Sequence, residues 1–197
     1  MSYGKLPKLS AVKSWMRQLA SVHGIPEQVK DTWDHSTVIW HFADQIAIYA
    51  IQNGYSVDRR FLKIACYIHD IGKMVTGGWA SRHLRPGIFH IYEGYYFLKN
   101  KGFDELANVC VCHLCGVGST KSLNKKFGFM PKDFFPKKIE EKIVAYVDSR
   151  TDPKKGVGPF IWPISYPLKH FKKYPGVVPR LKIQHEYIKR ITNNYLT

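Results

Sequence analysis

The amino-acid sequence predicts an all-α fold, for three reasons. Apolar residues recur at three- and four-residue steps along most of its length, as they do on one face of a helix. No alternation of apolar and polar residues runs long enough to build a sheet. Glycines, prolines and the Asn53-Gly54 pair fall between the periodic stretches, where helices have to end.

Leu9 to Val22 is amphipathic, with Val12, Trp15, Met16 and Leu19 on one stripe, and Gly24 stops it. Pro26 suits the first turn of a short helix. A long helix follows from about Trp33 to Gln52, ended by Asn53-Gly54. Asp58 is placed to cap the next helix, which runs to about Asp70. Residues 74–88 contain Gly77, Gly78, Pro86 and Gly87 and read as a loop. Helices resume at about 89–101 and 104–115, and Gly116 and Gly118 break the chain again. A short helix is expected at 119–126 and a stronger one at 138–149. Residues 151–179 hold Pro153, Pro159, Pro163, Pro167, Pro175 and Pro179. Phe160, Trp162 and Tyr166 among them want burial, so an ordered, surface-wrapping segment is expected there. A last helix runs from about Arg180 to Asn194.

A chain of 197 residues with 45% hydrophobic composition can bury a sizeable core as one domain. No apolar run approaches the roughly 20 residues needed to span a bilayer, so no membrane partner is expected. Met1 to Ser10 is polar and basic, which argues against a secretory signal. Cys110, Cys112 and Cys115 crowd together with only Cys66 elsewhere, poor spacing for disulfides, and a reducing, cytoplasmic setting fits best. The net charge of +15 is uneven. Residues 1–120 carry 13 Lys/Arg against 9 Asp/Glu, and residues 121–197 carry 17 against 6. That skew favours an anionic partner: a phosphorylated small molecule, or nucleic acid contacted through the basic C-terminal half. A solvated lysine-rich surface is the plainer alternative.

Placing the histidines on their helices sorts them. His35 opens the stripe Ile39, Ala43 and Ala47. His69 and Asp70 end an apolar helix with Phe61, Ile64, Ala65 and Ile68. His90 precedes Gly94 and Leu98 on one stripe, and Gly94 would let another backbone approach closely. His113 follows Leu106, Val109 and Cys110, and Asp148 follows Val144 by four. Four histidines and two aspartates therefore sit on or beside inward faces of five helices. Burying that many polar groups without compensation is expensive. A bound metal compensates, because neutral imidazole donates a lone pair and carboxylate neutralises the cation. A single buried histidine is more often a hydrogen-bonded core residue than a ligand; the joint arrangement is what points to metal. His41 lies well around its helix from His35 and reads as structural, and His23, His170 and His185 lack a ligand-like context. Cys112 and Cys115 lack a fourth partner for a zinc or iron–sulfur site, and buried thiols on a packed helix are the simpler reading.

The run His69-Asp70-Ile71-Gly72-Lys73 resembles the signature of the HD-domain metal-dependent phosphohydrolases. His35-Ser36-Thr37-Val38-Ile39, His90 with Gly94 and Leu98, Val109 to His113, and Ala145-Tyr146-Val147-Asp148 resemble the other motifs of that family, in order. The segments His113 to Gly118, Phe129 to Pro136 and Ile139 to Val144 are similar to a small, uncharacterised HDIG-type subgroup common in archaea. One departure is that many family members carry two consecutive histidines where this chain has His113-Leu114.

The resemblance implies a compact helical bundle as a single domain over 1–197, with the metal-site core at about 33–150 and residues 151–197 as a C-terminal wrap and helix. It implies one metal held by His35, His69, Asp70 and Asp148, and a second held by Asp70, His90 and His113. Leu114 leaves the second ion open. Mixed nitrogen and oxygen ligands suit Mn, Fe, Co, Ni or Zn. His83 competes with His90 for the third position, but His90 opens a helix with the Gly and Leu pattern. Lys73, Arg82, His83 and Arg85 are candidates for gripping phosphate. The implied activity is hydrolysis of a phosphoester in a small anionic molecule, a nucleotide or cyclic phosphate, with Asp70 orienting the attacking water and Lys73 or an arginine neutralising developing charge. Two alternatives share the sequence: an HD-type di-iron oxygenase with the same ligands, and a nucleic-acid-binding module with a vestigial site.

Overall fold

The computed structural model of the chain describes residues 5–77, 87–151, 161–174 and 176–195. These form helices joined by turns, with one isolated antiparallel bridge between Ser119 and Phe134 as their extended pairing. The helices are α1 (Leu9–Val22), α2 (Gln28–Gln52), α3 (Arg59–Ile68), α4 (Lys73–Thr76), α5 (Phe89–Asn100), α6 (Asp104–Cys112), α7 (Lys121–Lys126), α8 (Ile139–Asp148), α9 (Ser165–His170) and α10 (Val177–Ile191). A single 3-10 turn, Leu114–Gly116, follows α6. None of the described helices is long and apolar enough to cross a membrane.

α3 is the axle of the fold. Asp58 caps it by accepting hydrogen bonds from the Arg60 and Phe61 amides, both at 2.9 Å. Every residue from Phe61 to Ile68 except Lys63 is buried, because α3 packs against α1, α2, α6 and α8. α5 and α6 form an antiparallel hairpin whose turn needs Gly102 at φ +77°. One apolar cluster runs from Val12 on α1 to Ile191 on α10, and a smaller one joins Val117, Val177 and Leu181.

Five assignments differ from the sequence expectation, the first being α4, which puts residues 74–76, expected in a loop, into a helical turn. The short helix after Pro26 and the long one are continuous as α2, because nothing between Gln28 and Trp33 breaks the ladder and Gln28 and Thr32 are buried along it. α6 stops at Cys112 rather than 115, since Cys115 takes a left-handed φ of +52° in the turn that follows. A short helix, α9, lies inside the proline-rich segment. α10 begins at Val177, with Pro179 in its first turn where no amide partner is needed, and ends at Ile191.

The proline-rich segment is tied to the body where it is described. The Trp162 amide donates to the Arg150 carbonyl at 2.7 Å, and Arg150 Nε donates to the Trp162 carbonyl at 2.6 Å. Arg150 NH1 donates to the Tyr146 hydroxyl at 2.6 Å, which also pairs with His185 Nδ1 at 2.7 Å. The expectations for Phe160, Pro153, Pro159 and Pro175 lie outside the described residues.

Candidate metal centre

Six side chains converge from five helices. His35 comes from α2, His69 caps the C-terminus of α3 with Asp70 beside it, and His90 stands in the first turn of α5. His113 caps the C-terminus of α6, and Asp148 ends α8. Helix ends and the turns after them deliver most of the set, so the side chains reach a common point without distorting any helix.

Gly72 makes the convergence possible. A Cβ built on it would lie 1.9 Å from the His90 carbonyl oxygen and 2.6 Å from the Gly94 amide nitrogen. The Asp70 turn thus packs directly on the α5 backbone, which brings His90 to Asp70. Gly94 completes the fit from the other side, as the sequence suggested: a Cβ there would meet Cys110 Sγ at 3.0 Å and the Gly72 nitrogen at 3.3 Å.

Asp70 is the hub. Its Oδ2 faces His35 Nε2 at 3.6 Å and His69 Nε2 at 3.3 Å. Its Oδ1 faces His90 Nε2 at 3.2 Å and His113 Nε2 at 3.6 Å. Asp148 Oδ1 closes the first group, 3.1 Å from His35 Nε2 and 3.5 Å from His69 Nε2. The donor atoms of His35, His69, Asp70 and Asp148 all lie within 4.8 Å of one another, and so do those of Asp70, His90 and His113. The Lys73 ammonium ion-pairs with Asp70 Oδ2.

Three of the imidazoles are fixed from behind. Nδ1 of His69 donates to the Cys66 carbonyl at 2.9 Å, that of His113 to Val109 at 3.2 Å, and that of His90 to Gly87. Each bond selects the tautomer that leaves the Nε2 lone pair facing the cluster, the form a metal ligand requires.

Electrostatics balance the cluster only by forcing a proton onto one of its histidines. Burial pushes the Asp70 carboxyl up, but Lys73 and His69 more than reverse this and hold it well below the usual range. Burial likewise opposes ionisation of Asp148, and the hydrogen bond to His35 with the nearby His69 ring outweighs it, so it too stays ionised. Burial favours a neutral His69, yet the Asp70 and Asp148 carboxylates pull its pKa up to about 10. Burial and the neighbouring His69 and His90 push His113 down to about 3. One buried and one half-buried carboxylate thus share Lys73 and a forced proton on His69. His69 Nε2 and Asp70 Oδ1 remain buried without a hydrogen-bond partner. Unpaired buried polar atoms of this kind are rare, and a cation between the two donor groups would satisfy both. The donor set therefore fits divalent metal.

Every histidine and aspartate singled out from sequence as a ligand lies in this cluster, with Lys73 beside it. Arg82, His83 and Arg85 lie outside the described residues. Cys110 and Cys112 are buried, with thiols donating to the carbonyls of Ile68 and Val109 at 3.7 Å, and no cysteine joins a metal-ligating group among the described residues. Sequence reasoning missed Gly72 as the contact that brings His90 in. No local signal gives it, because Gly72 sits in the turn between α3 and α4, where a glycine reads simply as the end of a helix.

A family model described as the HD domain matches residues 32–151. An uncharacterised protein of Methanocaldococcus jannaschii is 33% identical over 159 residues, covering 80% of this chain and 82% of that protein. A tRNA (cytidine(56)-2'-O)-methyltransferase of Picrophilus torridus is 32% identical over 117 residues, which is 54% of this chain and 32% of that enzyme. Among solved structures, the L. monocytogenes phosphodiesterase PgpH HD domain aligns with a TM-score of 0.45 at 14% identity, covering 94% of this chain and 99% of that one.

Proposed function

The chain belongs to the HD-domain family, and from that premise we propose that it is a metal-dependent phosphohydrolase of a small phosphorylated substrate, a nucleotide or cyclic phosphate. The observation that supports this most is Asp70, whose two oxygens face two separate groups of donors. In this reading the whole chain is one HD-type domain. His35, His69, Asp70 and Asp148 would hold one ion, and Asp70, His90 and His113 a second, of Mn, Fe, Co, Ni or Zn character. When bound, such ions polarise a phosphoryl oxygen and acidify water.

The chain's own residues do the rest. His69 and Asp70 are 0% and 1% exposed, whereas Asp148, Lys73 and His90 keep 20%, 16% and 13%. Substrate therefore approaches over Asp148, Lys73 and His90, and the floor of the site stays dry. A dry floor strengthens each charge interaction made there. Asp70, held ionised, accepts a hydrogen bond from the attacking water and so aims it. Lys73, already poised on Asp70, neutralises charge as it builds on the phosphoryl group. Arg82, His83 and Arg85 follow within sixteen positions of Asp70 in sequence and are the proposed further phosphate contacts.

A nucleic-acid contact is favoured by one feature of the basic C-terminal half. The rings of Trp162, Tyr166 and His170 stack in a row, 4.9 and 5.7 Å apart, beside the exposed Lys169, Lys172 and Lys173. A steep loss of RNA binding with salt would support it; salt-independent binding would remove it.

The deciding experiment is elemental analysis of protein purified without added metal, then a phosphoester panel with Mn, Fe, Co and Ni. Bound metal and oxygen-independent phosphate release, abolished by Asp70→Ala, are expected. No metal and no turnover would sink the proposal, and oxygen uptake with substrate oxidation would replace it with the di-iron alternative.

A further inference from the structure

Apart from the metal-ligating groups, an open cleft of about 380 Å³ lies between α1 and the N-terminal half of α2. Its wall divides by chemistry. Lys13 and Arg17 from α1 and Lys30 from α2 supply three cations. Pro26, Val29 and Trp33 supply an apolar face. Asp34 is the one acid, and it is taken up by Lys30, 2.6 Å away. Lys13 rests its ammonium 4.5 Å from the centre of the Trp33 ring. Arg17 makes no ion pair among the described residues. The lining thus keeps two cations with no carboxylate of their own, next to an aromatic surface.

The Trp33 wall is fixed in advance. Its ring packs on Tyr67 at 4.6 Å, and the Tyr67 hydroxyl bonds to Thr37 Oγ1 at 3.2 Å. A wall that needs no ordering on binding loses less entropy when a ligand arrives. None of the lining residues is a member of the metal-ligating groups. The volume falls at the small end of the range of roughly 300–1,000 Å³ usual for small-molecule sites, room for one nucleotide-sized molecule.

We infer that this cavity is a second binding site, for a mononucleotide. The phosphate would meet Lys13 and Arg17, and the planar base would lie against Trp33, displacing the Lys13 ammonium from the ring toward the phosphate. Cations alone would take any anion, and the indole alone any flat ring. Their juxtaposition across one small cavity selects a molecule that has both.

The site is tested by calorimetric titration of AMP into full-length wild-type protein and the Asp70→Asn variant, which lacks the shared ligand of the metal centre. AMP binding persists in Asp70→Asn and weakens at least about tenfold in Lys13→Gln/Arg17→Gln, the loss expected from one or two charge-assisted hydrogen bonds. Adenosine alone and inorganic phosphate alone each bind more weakly than AMP. AMP also changes the tryptophan fluorescence of the wild type, and Trp33→Phe removes that change, a readout that stands if Asp70→Asn fails to fold. Equal affinity in wild type and Lys13→Gln/Arg17→Gln overturns the inference. So does loss of all AMP binding in folded Asp70→Asn, or phosphate binding as tightly as AMP. Only binding is read, so a failure of the hydrolase proposal leaves this outcome separate.

Discussion

Replacing Gly72 by alanine tests how the centre is assembled. Gly72 has an ordinary helical φ of −65°, so alanine meets no backbone strain there. The obstacle is the neighbour: the new Cβ would lie 1.9 Å from the His90 carbonyl oxygen, 2.8 Å from the His90 carbonyl carbon and 2.6 Å from the Gly94 nitrogen, all backbone atoms. Restoring ordinary van der Waals spacing requires a separation of about 1.5 Å between the Asp70 turn and α5. His90 travels with α5, and its 3.2 Å approach to Asp70 Oδ1 opens by a similar amount. Overpacking of this kind costs about 1–3 kcal/mol or more, which lowers Tm by about 2–12 °C in a domain of this size. A displacement of about 1 Å at a reacting centre costs about a hundredfold in rate. The assay is a thermal melt, metal content and phosphoester turnover of Gly72→Ala beside Gly94→Ala, whose nearest contact is the Cys110 thiol at 3.0 Å, a side-chain atom that can yield. Gly72→Ala is expected to lose metal and activity and Gly94→Ala to lose less. Wild-type melting, metal content and turnover in Gly72→Ala would refute the reasoning.

Three further predictions concern protons and the C-terminal segment. With its pKa raised to about 10, His69 is protonated in the metal-free protein at pH 7.5, while His113 is neutral, so metal binding should expel about one proton at His69; calorimetry in two buffers of different ionisation enthalpy reads it, and buffer-independent heats would contradict it. The sign for stability follows: the His69 contribution is complete below its ordinary pKa of 6.5 and fades as pH rises toward about 10, so the metal-free protein should melt lower at pH 9.5 than at pH 6, apart from other groups. Arg150→Met removes two hydrogen bonds from a buried guanidinium, to Trp162 and Tyr146, at a cost of about 3 kcal/mol or more, and should expose residues 161–174 to limited proteolysis; unchanged Tm and cleavage would count against that tie.

Much of this architecture was legible in the sequence because local rules carried it. α1 ends at Val22 because nothing but Gly24 can take the left-handed turn without cost there, and α3 starts after Asp58 because a carboxylate caps free amides. The six candidate ligands were legible because each sits on an inward stripe or at the end of an apolar helix. What stayed hidden depends on contacts distant in sequence. No periodicity announces that Gly72 touches the His90 carbonyl, or that Arg150 reaches Trp162. The end of α6 was misplaced because Cys115 takes a conformation usually left to glycine, and helical periodicity persists past the point where the backbone turns. The Trp33 cavity was also out of reach, since Lys13 and Trp33 become neighbours only when α1 folds onto α2.

His35 and Asp148 stand 113 residues apart in the chain and 3.1 Å apart in space. Bringing such distant points together carries a loop-closure entropy that local contacts do not repay. A cation gripped between them would act as a rivet through the bundle, joining α2, the end of α3 and α8, and Asp70 would link it to the group that His90 and His113 bring from α5 and α6. Its binding energy belongs to the folded state alone and so adds to the stability of every helix it touches. Chelation would then loosen the entire bundle, and the six side chains proposed to serve the chemistry would also set the lifetime of the fold.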